Sequence, residues 1–201
     1  MSTPPLLLRP WRPDDAPELR AAIDESLDAL RPWITWASRE PTPLPVLEAR
    51  LAQYAADFRA GSRWRYAVVE RDTGLLLGGA SLHPYPGPGA LEVGYWVRSS
   101  QLRRGVASTA AAALARHAFL ARGVERVEIW CDPGNRPSMA VAEALGFTHA
   151  GPRMFARDDG SPRPMEVYRL DAPAGLRFPP GVDVRIRDEP VPAVDSPPAP
   201  G

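Results

Sequence analysis

The chain has 201 residues, and 44% of them are hydrophobic, which suits a single domain with a buried core. Basic and acidic residues number 24 each, so the formal net charge is zero. This balance argues against a nucleic-acid-binding protein, which usually carries a basic excess. Cys131 is the single cysteine, no apolar run has membrane-spanning length, and the N-terminus lacks a signal-peptide pattern. We therefore expect a cytoplasmic protein without disulfides or membrane contacts.

The first half of the chain alternates strand and helix signals. Leu6 to Leu8 is typical of a strand, and Pro13-Asp14-Asp15 predicts the start of a helix with apolar residues at helical spacing. A second helix is predicted over residues 44–58. Residues 64–70 and 75–82 alternate as strands on either side of a turn, which predicts a β-hairpin.

The second half continues this alternation. We predict a strand over 90–98, a helix over 104–122, a strand over 124–131, a short helix near 137–145 and strands near 147–155 and 164–170. Together these elements indicate one mixed α/β domain that spans residues 1–170.

The composition changes after Leu170. Eight of the 25 prolines lie in residues 171–201, and proline can neither donate a backbone hydrogen bond nor adapt its φ angle. Residues 182–186 could dock as an added strand on this or a neighbouring subunit, but a free linker is the preferred interpretation. We therefore predict a Pro-rich, flexible C-terminal tail.

The most informative stretch is LEVGYWVRSSQLRRGVA, residues 91–107, in which a strand leads directly into a helix start. Backbone N–H groups in the first turn of a helix lack intrahelical partners, and the helix dipole adds positive charge, so a pyrophosphate can bind there. Gly105 permits a close backbone approach, and Arg103 and Arg104 supply positive charge. By itself this pattern is more typical of an ordinary turn with solvated arginines.

A second motif, NRPSMAVAEALGF, follows at residues 135–147. The order of the two motifs resembles that of the GNAT superfamily of acyl-CoA-dependent N-acyltransferases, and specifically its RimJ/RimL-type branch. The resemblance covers residues 5 to about 170. It implies a central, mostly antiparallel sheet of six to seven strands that splays between strands 4 and 5, flanked by about four helices, and it implies acetyl-CoA as the co-substrate. The family loop departs from its pattern at one place, since Leu102 stands where Gln or Arg is usual.

The resemblance also implies which residues contact the coenzyme. The pantetheine arm is expected to lie along the backbone of the fourth strand, and the pyrophosphate is expected in the loop that follows. The residues assigned to the coenzyme in this way are Tyr95, Trp96, Val97, Arg98, Arg103, Arg104, Gly105, Val106, Ala107, Ser108 and Asn135.

Two residues are candidates for the chemistry. Glu92 lies in mid-strand, where a carboxylate needs a reason, and its position matches the base candidate of the family. The alternative is that this face of the strand is partly solvated or that Glu92 pairs with an arginine. The tyrosine acid that many relatives carry is replaced by Ala142, so Ser138 is our candidate for stabilising the thiolate, with helix capping as an equal alternative. For Asn135 the alternative is likewise an ordinary turn or cap.

The acceptor site is expected near the segment LRPWITWA, because two tryptophans in a linker are costly to expose. Trp33 and Trp36 are the candidate walls, with simple packing under the loop as the alternative. Tyr85 joins them as a candidate, although its Pro- and Gly-rich surroundings also favour a plain turn. No spacing of His and Cys residues indicates a metal site.

The resulting hypothesis is direct acetyl transfer from acetyl-CoA to a primary amine, most readily a protein or peptide N-terminal α-amine, with Glu92 as general base and Ser138 beside sulfur. One alternative is a small-molecule acyltransferase for detoxification or metabolism, with succinyl-CoA as a conceivable donor. The other is a catalytically inactive acyl-CoA-binding regulator. We expect a monomer or a homodimer and no nucleic-acid partner.

Overall fold

The computed structural model describes residues 3–156 and 161–189. One eight-stranded sheet organises them. Its strands are β1 (Leu6–Pro10), β2 (Trp64–Glu70), β3 (Leu76–His83), β4 (Ala90–Val97), β5 (Arg126–Cys131), β6 (Thr148–Ala156), β7 (Pro162–Leu170) and β8 (Val184–Ile186). The helices are α1 (Ala16–Leu30), α2 (Leu44–Arg59), α3 (Val106–Arg122) and α4 (Arg136–Ala144). Among the described residues, no helix combines the length and apolarity needed to cross a bilayer.

The sheet is mostly antiparallel, with strand order β6-β7-β5-β4-β3-β2-β1-β8. Only the pairs β4–β5 and β1–β8 are parallel among the pairings of the described strands. The mixed α/β class, the antiparallel character and the four helices confirm the predicted fold class.

The helices cover both faces of the sheet. One apolar cluster joins α3 and α4 to the sheet, and a second cluster joins α1 and α2 to the opposite face. Six alanines of α3 are buried, and their small side chains let this helix lie close to the strands: Ala110, Ala111, Ala112, Ala113, Ala115 and Ala118. Strand β4, which carries the candidate base Glu92, is therefore packed between helices on both faces of the sheet.

The sheet opens between β4 and β5. These strands pair only from Ala90 with Arg126 to Glu92 with Glu128, whereas β4 continues to Val97 in pairing with β3. The end of β4 and the end of β5 therefore diverge and leave a cleft in the middle of the sheet. The predicted splay between strands 4 and 5 is confirmed.

The C-terminal segment differs from its prediction. Val184–Ile186 forms β8 in parallel pairing with β1, so the sheet has eight strands rather than six to seven. Of the two alternatives raised for residues 182–186, the structure has the docked strand, because backbone hydrogen bonds from Leu6 to Asp183 and from Arg187 to Leu8 hold this segment along the open edge of β1. The rest of the predicted tail, residues 190–201, lies outside the described residues.

Candidate active site

A cavity of about 1320 Å3 occupies the opening between β4 and β5. Most of the residues predicted for the site line it, although they come from five separate parts of the chain. The predicted residues in its wall are Trp33, Trp36, Tyr85, Glu92, Tyr95, Trp96, Val97, Arg103, Gly105, Val106, Ala107, Ser108, Asn135 and Ser138.

One end of the cavity is the start of α3. Gly105 has φ +74° and Arg103 has φ +60°, so the chain turns through two left-handed residues immediately before the helix. A Cβ atom on Gly105 would collide with the side chain of Thr3. The first-turn N–H groups of Val106, Ala107 and Ser108 have no carbonyl partner within the helix. This end therefore suits the pyrophosphate of a coenzyme A molecule.

Two of the predicted coenzyme contacts face elsewhere. Arg98 Nε donates to Glu25 at 2.6 Å, and Arg104 bonds Gln101 and lies 3.5 Å from Glu70. Neither arginine lines the cavity. Carboxylates on neighbouring elements hold these two guanidinium groups, so in this structure Arg103 is the arginine of the loop that faces the cleft.

Glu92 lies at the innermost point of the cleft and is 8% exposed. No hydrogen bond or ion pair from the described residues reaches its carboxylate. Burial, together with the neighbouring Glu128, raises the pKa of Glu92 from 4.5 to about 8. A carboxyl group with this proton affinity can exchange a proton with an amine near neutral pH.

Ser138 lies on the other side of β4, in the first turn of α4. Its Oγ is 3.0 Å from the hydroxyl of Tyr95 and accepts a hydrogen bond from Cys131 Sγ at 3.2 Å. Burial raises the pKa of Cys131 to about 11, so its thiol stays protonated, as expected for a structural cysteine. From the sequence, Tyr95 was expected to contact the coenzyme only through its backbone. Strand alternation could have found its hydroxyl, because Tyr95 and Glu92 point to opposite faces of β4.

Asn135 is the N-cap of α4. Its side-chain oxygen accepts the backbone N–H of Ser138 at 3.2 Å, and Pro137 stands in the first helical turn. This bond fixes the start of the helix and thereby the position of the Ser138 hydroxyl. The capping alternative raised for Asn135 is thus realised, while Ser138 itself is a first-turn residue.

The tryptophan segment forms one wall of the cavity. Trp36 meets Trp96 edge to face at 6.0 Å between ring centroids. Arg163 of β7 anchors this segment, because it donates to the carbonyl of Trp33 at 2.9 Å and pairs with Asp132 at 2.7 Å. Arg163 was not predicted from the sequence, and a contact between residues so distant in the chain leaves no local pattern.

Tyr85 belongs to a cluster of aromatic rings at the mouth of the cavity. Its ring lies 5.4 Å from Phe155 and 6.3 Å from Trp130, and it stacks on His83 at 4.8 Å. Phe155 and Trp130 also line the cavity, and neither was predicted from the sequence. No group of three or more His, Cys, Asp or Glu side chains within residues 3–156 and 161–189 is arranged to hold a metal ion.

The sequence model described as "Acetyltransferase (GNAT) domain" matches residues 5–148, well over half of the chain. The chain belongs to the GNAT acetyltransferase family. Members of this family are acyl-CoA-dependent transferases that use acetyl-CoA as co-substrate, and the helix start at Gly105 offers the anion site that such a co-substrate needs.

The curated relatives that this GNAT chain matches are named as N-acetyltransferases. The "Putative ribosomal N-acetyltransferase YdaF" of Bacillus subtilis is 27% identical over 73% of this chain and 79% of its own length. The "Uncharacterized N-acetyltransferase YnaD" of the same organism is 29% identical over 43% of this chain, and the match spans about half of its length, 51%. RimJ of Mycobacterium smegmatis, solved in complex with CoA-disulfide, superposes with a TM-score of 0.68 at 26% identity, covering 82% of this chain and 81% of RimJ.

Proposed function

We propose that this GNAT protein transfers an acetyl group from acetyl-CoA directly to the α-amine of a protein or peptide, with Glu92 as general base and Ser138 stabilising the departing thiolate. The observation that carries the proposal is the arrangement across β4. A buried carboxyl group lies on one side of this strand and a hydroxyl cluster lies on the other, at the point where the sheet opens.

The proposed reaction forms a carbon–nitrogen bond, breaks a carbon–sulfur bond and moves one proton. The amine nitrogen attacks the thioester carbonyl carbon, the carbon–sulfur bond breaks, and Glu92 takes the proton that the nitrogen loses. The thiolate of coenzyme A leaves beside Ser138, and the hydroxyl of Tyr95, 3.0 Å from Ser138 Oγ, supports that hydrogen-bond donor. No covalent intermediate with the enzyme is required.

The electrostatics of Glu92 support an α-amine as the acceptor. An α-amine with a pKa near 8 costs about 1 kcal/mol to deprotonate at pH 7, whereas a lysine amine near 10.4 costs about 4.6 kcal/mol. A base with a pKa of about 8 matches the pKa of an α-amine and lies more than two units below that of a lysine amine. The name of YdaF, a putative ribosomal N-acetyltransferase, agrees with a protein as the acceptor.

The arginines of the cavity weigh against succinyl-CoA as the donor. Arg50, Arg65 and Arg163 line the cavity, but each is already paired with a carboxylate of the protein, at 3.0 Å, 2.8 Å and 2.7 Å. Arg103 also lines the cavity, but it belongs to the loop proposed for the pyrophosphate. A succinyl carboxylate would have to displace one of these partners. The presence of both Glu92 and Ser138 weighs against an inactive regulator.

The test is thiol release from acetyl-CoA and succinyl-CoA against a panel of amines. The panel contains peptides with free N-termini, lysine peptides with blocked N-termini, polyamines and amino-sugar antibiotics. We expect release with acetyl-CoA and free N-terminal peptides, with one acetyl group on the α-nitrogen by mass spectrometry. Turnover confined to small amines would overturn the acceptor assignment, and coenzyme A binding without any turnover would overturn the enzymatic assignment.

A further inference from the structure

Glu92 has a second carboxylate as its neighbour. Glu92 of β4 and Glu128 of β5 are partners in the last register pair before the two strands diverge. Partners on adjacent strands lie about 4.8 Å apart and point to the same face of the sheet. The side chains are 8% and 2% exposed, so two acidic groups lie on neighbouring strands out of contact with water, where the strands begin to diverge.

The two carboxylates are held differently. Glu128 accepts hydrogen bonds from Arg126 Nε at 2.8 Å and Trp130 Nε1 at 2.7 Å, and Arg153 lies 3.4 Å from it. Glu92 receives no donor from the described residues. The donors around Glu128 therefore stabilise its ionised form. Glu92 has no such donors, so its protonated form is the more stable one.

Three other titratable groups near Glu92 carry no charge. His83 is its register partner on β3, and burial together with Arg65 lowers the pKa of His83 to about 3, so the imidazole is neutral. Tyr95 on β4 and Cys131 on β5 both have raised pKa values because they are buried, so both stay protonated. The charge that acts on Glu92 from its neighbouring strand is therefore that of Glu128, and Arg126 and Arg153 offset part of it.

We propose that Glu128 is a positioning residue for the transfer reaction, whose fixed carboxylate makes Glu92 a stronger base than a buried glutamate with a neutral neighbour. This inference rests on the proposed role of Glu92. It assigns Glu128 no contact with the reacting atoms. The hydrogen bonds from Arg126 and Trp130 hold the second carboxylate in place, one strand away from the base.

The experiment compares pH profiles of kcat/KM for one free N-terminal peptide, so that the ionisation of the peptide is common to all proteins. Glu128→Gln keeps the shape of the side chain and removes its charge. We expect the midpoint that belongs to Glu92 to move to lower pH by about one unit, and Glu128→Asp to restore part of the wild-type value. An unchanged midpoint in Glu128→Gln would overturn the proposal.

Two further variants separate charge from structure. Trp130→Phe removes one of the hydrogen bonds to Glu128 and no charge, so it should move the midpoint much less than Glu128→Gln does. Arg153→Gln changes a half-exposed side chain, which the fold tolerates, and removes a compensating charge, so the midpoint should rise. If the midpoint moves equally in Trp130→Phe and Glu128→Gln, packing explains the effect and the proposal fails.

A direct titration distinguishes this proposal from the function on which it rests. Carbon NMR of protein with labelled glutamate follows the carboxyl group of Glu92, which is assigned by its loss in Glu92→Gln. If Glu128→Gln shifts the titration of Glu92, the coupling between the two carboxyl groups is supported. If turnover nevertheless survives in Glu92→Gln, the role of Glu92 as the base is overturned. Turnover lost in Glu92→Gln, with a titration unmoved in Glu128→Gln, would overturn the Glu128 proposal alone.

Discussion

Two parallel pairings of three residues each interrupt this otherwise antiparallel sheet, and they end differently. The β4–β5 pairing stops at Glu92 and Glu128 and leaves a cleft, whereas the β1–β8 pairing covers an edge with the C-terminal segment. In the cleft Glu92 lacks donors and its pKa is raised. At the edge, hydrogen bonds and opposite charges lower the pKa values of Asp183 and Asp188. The same local pairing thus borders the proposed active site in one place and closes an edge of the sheet in the other.

The largest effect is expected at the cleft, from Glu92→Gln. Turnover should fall by about 10²- to 10⁴-fold, because the base is lost, while the affinity for coenzyme A stays unchanged. The free energy of unfolding should instead increase in Glu92→Gln. The folded pKa of Glu92 is raised from 4.5 to about 8, so the wild-type protein loses stability as the pH rises between these values.

The amide of Glu92→Gln has no such loss. The variant should therefore be more stable than the wild type at pH 8 by about 2–4 kcal/mol in urea unfolding. Glu48→Gln, at an exposed position of α2, is the control and should change neither property. Unchanged turnover in purified Glu92→Gln would remove the functional half of the comparison.

The second effect belongs to the edge, from Asp188→Asn. Asp188 accepts two hydrogen bonds from Arg122 at 2.7 Å and one from the Tyr66 hydroxyl at 2.8 Å, and His117 lies 3.3 Å away. We expect a loss of about 2 kcal/mol in the free energy of unfolding, because Arg122 keeps its charge in a partly buried place without its partner.

The pH dependence of this loss has a defined sign. Burial opposes the ionisation of Asp188, but the bonds from His117 and Tyr66 outweigh it and lower the pKa of Asp188. The contribution is therefore complete at neutral pH and disappears as the pH falls through the folded pKa. Asp171→Asn, which removes an exposed pair with Arg169, is the control. A change in kcat or KM in Asp188→Asn would show that the edge and the cleft are not independent.

Much of this fold follows from local sequence patterns. The two helix starts at Gly105 and Asn135 depend on neighbouring residues, so the pyrophosphate end and the Ser138 end of the cleft are predictable from short motifs. The eighth strand is not. Val184 to Ile186 is too short to stand out in a Pro-rich segment, and Asp188 meets Tyr66 across 122 positions of the chain.

The cleft shows the same division. Glu92 can be found because a carboxylate in mid-strand is unusual, but its partner Glu128 becomes a neighbour only through the register of β4 and β5. Arg163 reaches the Trp33 segment in a similar way, across 130 positions. Local motifs therefore predict where the coenzyme would lie, while the side chains that surround the acceptor depend on tertiary pairing.

A third prediction separates backbone strain from ligand binding. Gly105 and Gly123 both have left-handed backbone conformations, with φ +74° and +65°, at opposite ends of α3. Alanine at either position costs about 1 kcal/mol in strain. Only Gly105→Ala places a methyl group against another side chain, that of Thr3, at a residue that lines the cavity. We expect its KM for acetyl-CoA to rise about tenfold, equal to 1.4 kcal/mol, with Gly123→Ala unchanged in KM. Equal KM values in both variants would argue against a coenzyme at this helix start.

The smallest effect is expected from Asp183→Asn, at the same edge as Asp188. Arg71 holds Asp183 with two hydrogen bonds of 2.7 Å and 2.6 Å, but the Asp183 side chain is 57% exposed. Water and salt screen such a pair, so its loss should cost much less stability than Asp188→Asn does, and this cost should shrink further in high salt. Urea unfolding at low and high ionic strength measures this difference. If Asp183→Asn destabilised the protein as much as Asp188→Asn, the edge would be held by the charge of the segment as a whole rather than by the buried contacts of Asp188.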